Sequence, residues 1–179
     1  MGGAFKYARN KKGVTLVELI LSIALVLIAA VLMFTFFSFM NRSNRLARQQ
    51  SEIQENVVLA KTIIEGKIRK ATYVTIGSTG GDPPSLPWSE SIYLDVVDGK
   101  GVIYAETEGE SGPLLAGLAE GYSMSLAFER VDGMFIRVSV GCISEDNYEY
   151  SVDTEIFLLG LASHQFAGDS GNKIYIETE

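Results

Sequence analysis

The sequence predicts an α+β fold, with one long N-terminal helix packed on an antiparallel β-sheet head. Three observations predict it. Residues 19–40 form a run of 22 residues without a charge. A stripe of apolar residues at helical spacing follows it without a break. From residue 71 onward, short alternating runs are separated by Gly, Pro and Asp turn signals, the order expected of a helix followed by antiparallel strands.

The chain has 179 residues, enough for one domain and one appended element. Its net charge of −7 is unevenly spread. Residues 1–70 carry 11 Lys+Arg and 4 Asp+Glu, whereas residues 71–179 carry 4 and 18, a net −14. An acidic domain repels nucleic acid and anionic lipid heads, which argues against broad DNA contact. Cys142 is the only cysteine, so no internal disulfide forms and the head stands on packing alone.

The first element is the apolar run. As a helix, 22 residues span about 33 Å, enough for a bilayer core of about 30 Å. Lys6, Arg9, Lys11 and Lys12 precede it and hold the N-terminus in the cytoplasm, so the rest is translocated. Arg42, Arg45 and Arg48 on the far side weaken this asymmetry without reversing it. A secretory signal peptide would show about 7–15 apolar residues and then a small-x-small cleavage site. This run is longer and ends in Phe-Phe-Ser-Phe-Met-Asn, 36–41. A plain signal anchor leaves Thr15, Glu18 and Ser22 unexplained. Their spacing of three and four puts them on one helix face, and a carboxylate facing lipid costs a few kcal/mol even on mild scales. A face that meets another protein explains the stripe. A cut between Gly13 and Val14 would create an α-amino group at Val14, one turn from Glu18. In a low-dielectric bundle that cation and Glu18 of a neighbouring helix would form a pair that needs both partners, which sets axial register.

The stretch Lys12-Gly13-Val14-Thr15-Leu16-Val17-Glu18-Leu19, followed by the apolar helix, closely resembles the processing motif of type IV prepilins and type II secretion pseudopilins. The resemblance covers about the first 30 residues. It implies cleavage after Gly13 by the prepilin peptidase, a membrane aspartic protease, and N-methylation of Val14. It also implies assembly with other pilins or pseudopilins through the helix, with Glu18 and Thr15 as assembly residues. Val14 stands where the family usually has Phe. No Gly or Pro occurs between Val14 and Arg48, whereas many major pilins carry helix breakers there. The expected organisation is a basic leader over 1–13, a transmembrane half-helix over 14–40, an amphipathic half-helix over 41–70, and an acidic β-rich head over 71–179. The implied location is the cytoplasmic membrane lipid with the N-terminus inside and the head outside, then an extracellular or periplasmic filament.

The second element continues the first. Leu46, Ile53, Val57, Ala60, Ile64 and Ile68 form one amphipathic stripe, and only Gly66 interrupts helix-forming composition. One helix of about 80 Å is expected from Val14 to Arg69, its second half packed on a sheet. A free coiled coil would need a longer repeat than about three heptads.

Residues 77–90 read as a loop, with Gly77, Gly80, Gly81, Pro83, Pro84 and Pro87. Strands are expected over 91–97, 102–106, 122–131, 134–143 and 148–159. Turns fall at 98–101 and at Asp132-Gly133, and a loop at 108–112. The segments "LLAGLAEGYSMSLAFERVDGMFIRVSVGC" and "YEYSVDTEIFLLG" resemble the closing hairpin and strand of the J-type minor pseudopilins, which prime assembly at the filament tip. In that group the final strand often ends in Arg-Asn. Leu159-Gly160 stands there instead.

Chemistry beyond assembly has weak support. His164 is the sole histidine, and Ser163 stands beside it, but a lone histidine in a polar loop is ordinarily just solvated. Cys142 lies in an apolar strand and is read as packing. No metal, catalytic or phosphate-loop motif occurs. Asp146, Asn147 and Asp153, or Asp169 and Asn172, have oxygens suited to Ca²⁺, but neither group matches an EF-hand loop and solvated acidic loops are the default. Trp88 is read as an anchor for the long loop. No cofactor and no enzymatic activity are expected. The alternatives to a pilin-like subunit are a single-pass anchored receptor or sensor and a DNA-uptake pilus component.

Overall fold

The computed structural model describes residues 14–85, 88–107, 110–115, 121–158 and 165–178. The chain divides into two units, one ending at Ala47 and the other running from Arg48 to Glu179.

In the first unit a single element dominates. Helix α1, Leu16–Ile68, enters here and has every side chain exposed through Arg48. Its apolar residues point in all directions, as expected of a segment that meets lipid or other helices rather than a core of its own. The stretch is long and apolar enough to cross a membrane. Two of its hydroxyls are turned onto the helix itself. Ser22 Oγ donates to the Glu18 carbonyl at 2.7 Å, and Thr35 Oγ1 to the Leu32 carbonyl at 2.9 Å. Such back-bonding satisfies these two hydroxyl hydrogens without water.

In the second unit the rest of α1 is amphipathic. Ile53, Val57, Ala60, Ile64 and Ile68 are exposed by 1 % or less, at spacings of four, three, four and four. Leu46, expected in the same stripe, is 41 % exposed and is not part of this core. The Glu52 carboxylate accepts from Tyr122 Oη at 3.1 Å. Gln54 donates to Tyr148 Oη at 3.3 Å, and near the helix end Lys67 pairs with Glu90. These bonds fix the part of the helix from Glu52 to Lys67 against the sheets. On the free side, Lys61 and Arg69 flank Glu65, each at 2.7 Å, and their hydrogen bonds hold its carboxyl below the usual range. These surface pairs each contribute only a few tenths of a kcal/mol.

Among the described residues ten strands follow: β1 Tyr73–Gly77, β2 Glu90–Val97, β3 Lys100–Thr107, β4 Glu110–Pro113, β5 Tyr122–Asp132, β6 Phe135–Ser144, β7 Glu149–Phe157, β8 Phe166–Ala167, β9 Ser170–Gly171 and β10 Lys173–Glu177. They form a six-stranded sheet in the order β4-β3-β2-β10-β1-β8 and a four-stranded sheet in the order β7-β6-β5-β9. All pairings are antiparallel except the short β1–β8 pair. The architecture is the predicted α+β, with one parallel pairing added. The expected 122–143 hairpin forms, with its turn at Gly133-Met134 rather than Asp132-Gly133, and the strands around the expected 98–101 turn also pair, across Asp98-Gly99 alone. Asp98 and Gly99 have φ of 53° and 77°, the paired positive angles of a two-residue type I′ turn. The β5–β6 hairpin pairs Asp132 with Phe135 across Gly133 and Met134, with an irregularity between Arg130 and Asp132.

Alternation along β5 and β6 sends Met124, Leu126, Phe128, Ile136, Val138, Val140 and Cys142 inward to meet the helix stripe and Ile92, Ile103, Ile174 and Ile176. Each such side chain stabilises the head by roughly 1.5–3 kcal/mol relative to exposure. The two sheets approach closely at glycines. A Cβ on Gly101 would stand 2.0 Å from the Met124 carbonyl oxygen, and one on Gly171 would stand 1.9 Å from that of Gly77. Gly101 N also donates to Ser123 Oγ at 2.9 Å. Trp88 meets Tyr175 edge-to-face at 5.3 Å, so it does anchor the end of the 77–90 loop.

Candidate functional site

Thr15, Glu18 and Ser22 open the helix, and the backbone there explains two of the three. Thr15 precedes the first helical residue, and its carbonyl accepts from Leu19 N at 3.1 Å. Its Oγ1 accepts from Glu18 N at 3.3 Å. Thr15 is therefore the N-cap and Glu18 the third helical residue, the spacing of a Thr-x-x-Glu capping box. Ser22 Oγ bonds the Glu18 carbonyl. The polar stripe is thus locally satisfied at both ends. What remains is one carboxylate. Among the described residues no side chain or backbone group pairs with the Glu18 carboxylate, and it stands exposed in the first turn. The positive end of the helix dipole favours an anion there by up to about 1 kcal/mol at a surface, less than the cost of carrying the charge into lipid. The capping role of Thr15 was present in the sequence as Thr-Leu-Val-Glu, but reading the three residues as one recognition stripe hid it.

Val14 is exposed directly before the cap, so an amine there would lie at the helix N-terminus beside Glu18. Gly13 and the basic leader lie outside the described residues, as do Pro87, Leu159-Gly160, Ser163 and His164.

The other singled-out groups do not converge. Among the described residues no three His, Cys, Asp or Glu side chains come together as a metal site. Asn172 Oδ1 accepts from Thr79 N at 2.8 Å, and the Asp169 carbonyl accepts from Arg130 N at 2.7 Å, so both shape loops. Asp146 and Asn147 sit at the β6–β7 turn, where Asn147 has a φ of 59° and its N–H meets the Ser144 carbonyl at 2.9 Å. Asp153 is apart from them, on β7. Cys142 is buried, and desolvation pushes its thiol up to about 11, which makes it inert as a nucleophile at neutral pH.

The sequence comparisons agree with this concentration of features at the N-terminus. Residues 8–34 match the family model described as the prokaryotic N-terminal methylation motif. The match takes in Gly13, Val14, Thr15 and Glu18 and most of the apolar run, and it supports a type IV pilin-like protein held in a membrane by its first helix. It ends well short of the head, so it does not distinguish the J-type subgroup from others. No curated protein and no solved structure matches the chain.

Proposed function

We propose that this chain is a minor structural subunit of a type IV pilus or a type II secretion-type pseudopilus. It inserts as a prepilin with the N-terminus inside, is cleaved after Gly13 by prepilin peptidase, and is methylated at Val14. It then assembles through its apolar helix beside other pilin-like subunits. One observation carries the reading: the methylation motif at 8–34 overlaps a helix whose apolar side chains, through residue 48, are exposed on every face. A soluble chain would not leave such a surface open. A bundle of like helices in a membrane, and then in a filament, would cover it.

Within that bundle Glu18 takes the methylated amine of Val14 from a neighbouring subunit as its partner. The lone carboxylate of the polar stripe supports this role, because a buried charge requires a counter-charge. Thr15 holds the helix start in place. The acidic head supports a structural role at the filament surface and argues against broad nucleic-acid contact. The strand pattern after residue 114 supports the alternative placement, a J-type position at the tip, where Glu18 would have no subunit ahead to supply its partner.

The mature N-terminus tests the reading. Mass spectrometry of the chain from its native membrane should show loss of residues 1–13 and one added methyl group. Gly13→Val, which places a branched side chain where the protease must approach backbone, should accumulate full-length precursor. Normal cleavage of that variant would remove the processing assignment and leave a single-pass anchored receptor as the better description.

A further inference from the structure

Sheet edges are where β-proteins meet unwanted or intended partners, and this head manages its edges unequally. β4 is four residues long and ends at Pro113, while β8 and β9 have two residues each. β7 differs. It runs nine residues, pairs with β6 at every one of them, and among the described residues has no strand on its other side. It contains no Pro and no bulge, and of the usual devices that block an open edge it has charge alone, all of it acidic.

The side chains of β7 specify what would fit. Its inner face carries Tyr150, Val152 and Ile156, which pack on the core, with Thr154 among them. Its outer face carries Glu149, Ser151, Asp153, Glu155 and Phe157. Glu155 is held by Arg137 at 2.8 Å. Glu149 and Asp153 have no partner among the described residues. Phe157 is 38 % exposed beside Phe135, ring centroids 5.0 Å apart.

A second copy does not fit this edge. Antiparallel pairing of β7 with itself about a twofold axis keeps the outer faces together. Every such register that joins five or more residues sets one carboxylate opposite another: Asp153 on Asp153, Glu149 on Glu155, Glu149 on Asp153, Asp153 on Glu155, or Glu155 on Glu155. Like charges directly opposite are destabilising. Nor does another strand of this head match, since residues 71–179 hold only Lys100, Arg130, Arg137 and Lys173, scattered one to a strand.

We propose that the free edge of β7 receives a β-strand from a different subunit of the same filament. That strand carries basic residues four apart on its outer face, opposite Asp153 and Glu149. It carries an apolar residue opposite Phe157 and apolar residues on its inner face. Main-chain bonds supply affinity and the alternate side chains supply selectivity. The identity of the partner as a filament subunit rests on the pilin-like reading, whereas the edge and its charge pattern do not.

The test places the photocrosslinker p-benzoylphenylalanine at Ser151 of the full-length chain in its native cells. The expected product joins Ser151 to a strand of another motif-bearing subunit with basic residues four apart. Its yield should fall about tenfold in Glu149→Lys/Asp153→Lys and return when the two basic residues of the partner are exchanged for Glu. Protection of the Cys142 thiol in the same variant reports that the head is still folded. Crosslinks to its own copy, to another part of its own chain or to lipid, no crosslink, or a yield indifferent to the charge exchange would each overturn the proposal. The N-terminal mass is read from the same cells. A processed, methylated chain without the strand crosslink leaves the pilin-like reading standing and overturns the edge. An unprocessed chain that still crosslinks to a basic strand supports the edge and removes that reading.

Discussion

Residues 16–47 and 48–68 lie on one helix, yet they bury opposite amounts. The first stretch exposes every side chain, while the second hides five at 1 % exposure or less. The sequence difference is one of pattern. Residues 19–40 are apolar at nearly every position, so no face is special. After Arg48 the apolar residues keep to one stripe and polar residues take much of the remainder. The same backbone thus serves two solvents. One half needs an apolar medium supplied from outside the chain, and the other carries its medium with it in the sheets. Stability of the head and competence to assemble should therefore be separable by mutation.

The largest separation is expected from Ile64→Asp. Ile64 is fully buried against the sheets, so the substitution buries an unpaired carboxylate and removes apolar contact. A loss of about 5 kcal/mol is expected, a large share of a domain's stability. Denaturant unfolding of the full chain in detergent, followed by the fluorescence of Trp88, should show a much lower midpoint. An unchanged midpoint would mean that this face of α1 is not packed.

Glu18→Ala should act on assembly alone. Insertion and cleavage should be as good as in the parent, because the segment becomes more apolar and the cut lies upstream. Incorporation into filaments should fall by more than a hundredfold, about 3–5 kcal/mol if the pair with the Val14 amine is fully buried. Processed and incorporated subunit are measured in the same cells. Equal incorporation would sink the pairing, and would instead favour a tip position, where no subunit lies ahead to supply a partner.

Ile28→Asp is the mirror of Ile64→Asp. It should penalise membrane insertion by about 3–4 kcal/mol and leave the unfolding midpoint of the head unchanged within about 0.5 kcal/mol. A matching shift in head stability would break the separation of the two halves.

The smallest effect concerns Cys142. Burial pushes its pKa up to about 11, so the folded head favours the neutral thiol. The stabilising contribution is fully present below the unfolded-state value of about 8.5–9 and is lost as pH rises toward 11. Alkylation by iodoacetamide at pH 8 should be slow in the folded chain and fast in denaturant. Equal rates would place the thiol outside the core.

The hairpins β2–β3 and β5–β6 were legible because Asp98-Gly99 and Asp132-Gly133 sit between alternating runs. β10 was missed. Its five residues, Lys-Ile-Tyr-Ile-Glu, are too short and too charged at the ends to stand out, and nothing local indicates that they lie between β2 and β1. Residues 110–112, within the expected loop at 108–112, instead pair with β3. At the N-terminus the Thr15–Glu18–Ser22 stripe was visible, but its division into a cap, a back-bonded hydroxyl and one unpaired acid required the helix boundary.

The sequence alone determined the membrane-length helix, its change of character after Arg48, the charge divide between residues 1–70 and 71–179, and the motif around Gly13. These follow from local composition and periodicity, which act over a few residues and are written in order along the chain. Only the tertiary structure decided that Tyr73 pairs with Glu177, that the strands divide into two sheets joined through glycine contacts, and that β7 is the long edge without a second neighbour among the described residues. Those outcomes depend on which distant segments best cover each other's apolar faces, a choice made by the whole chain at once and encoded in no single stretch of it.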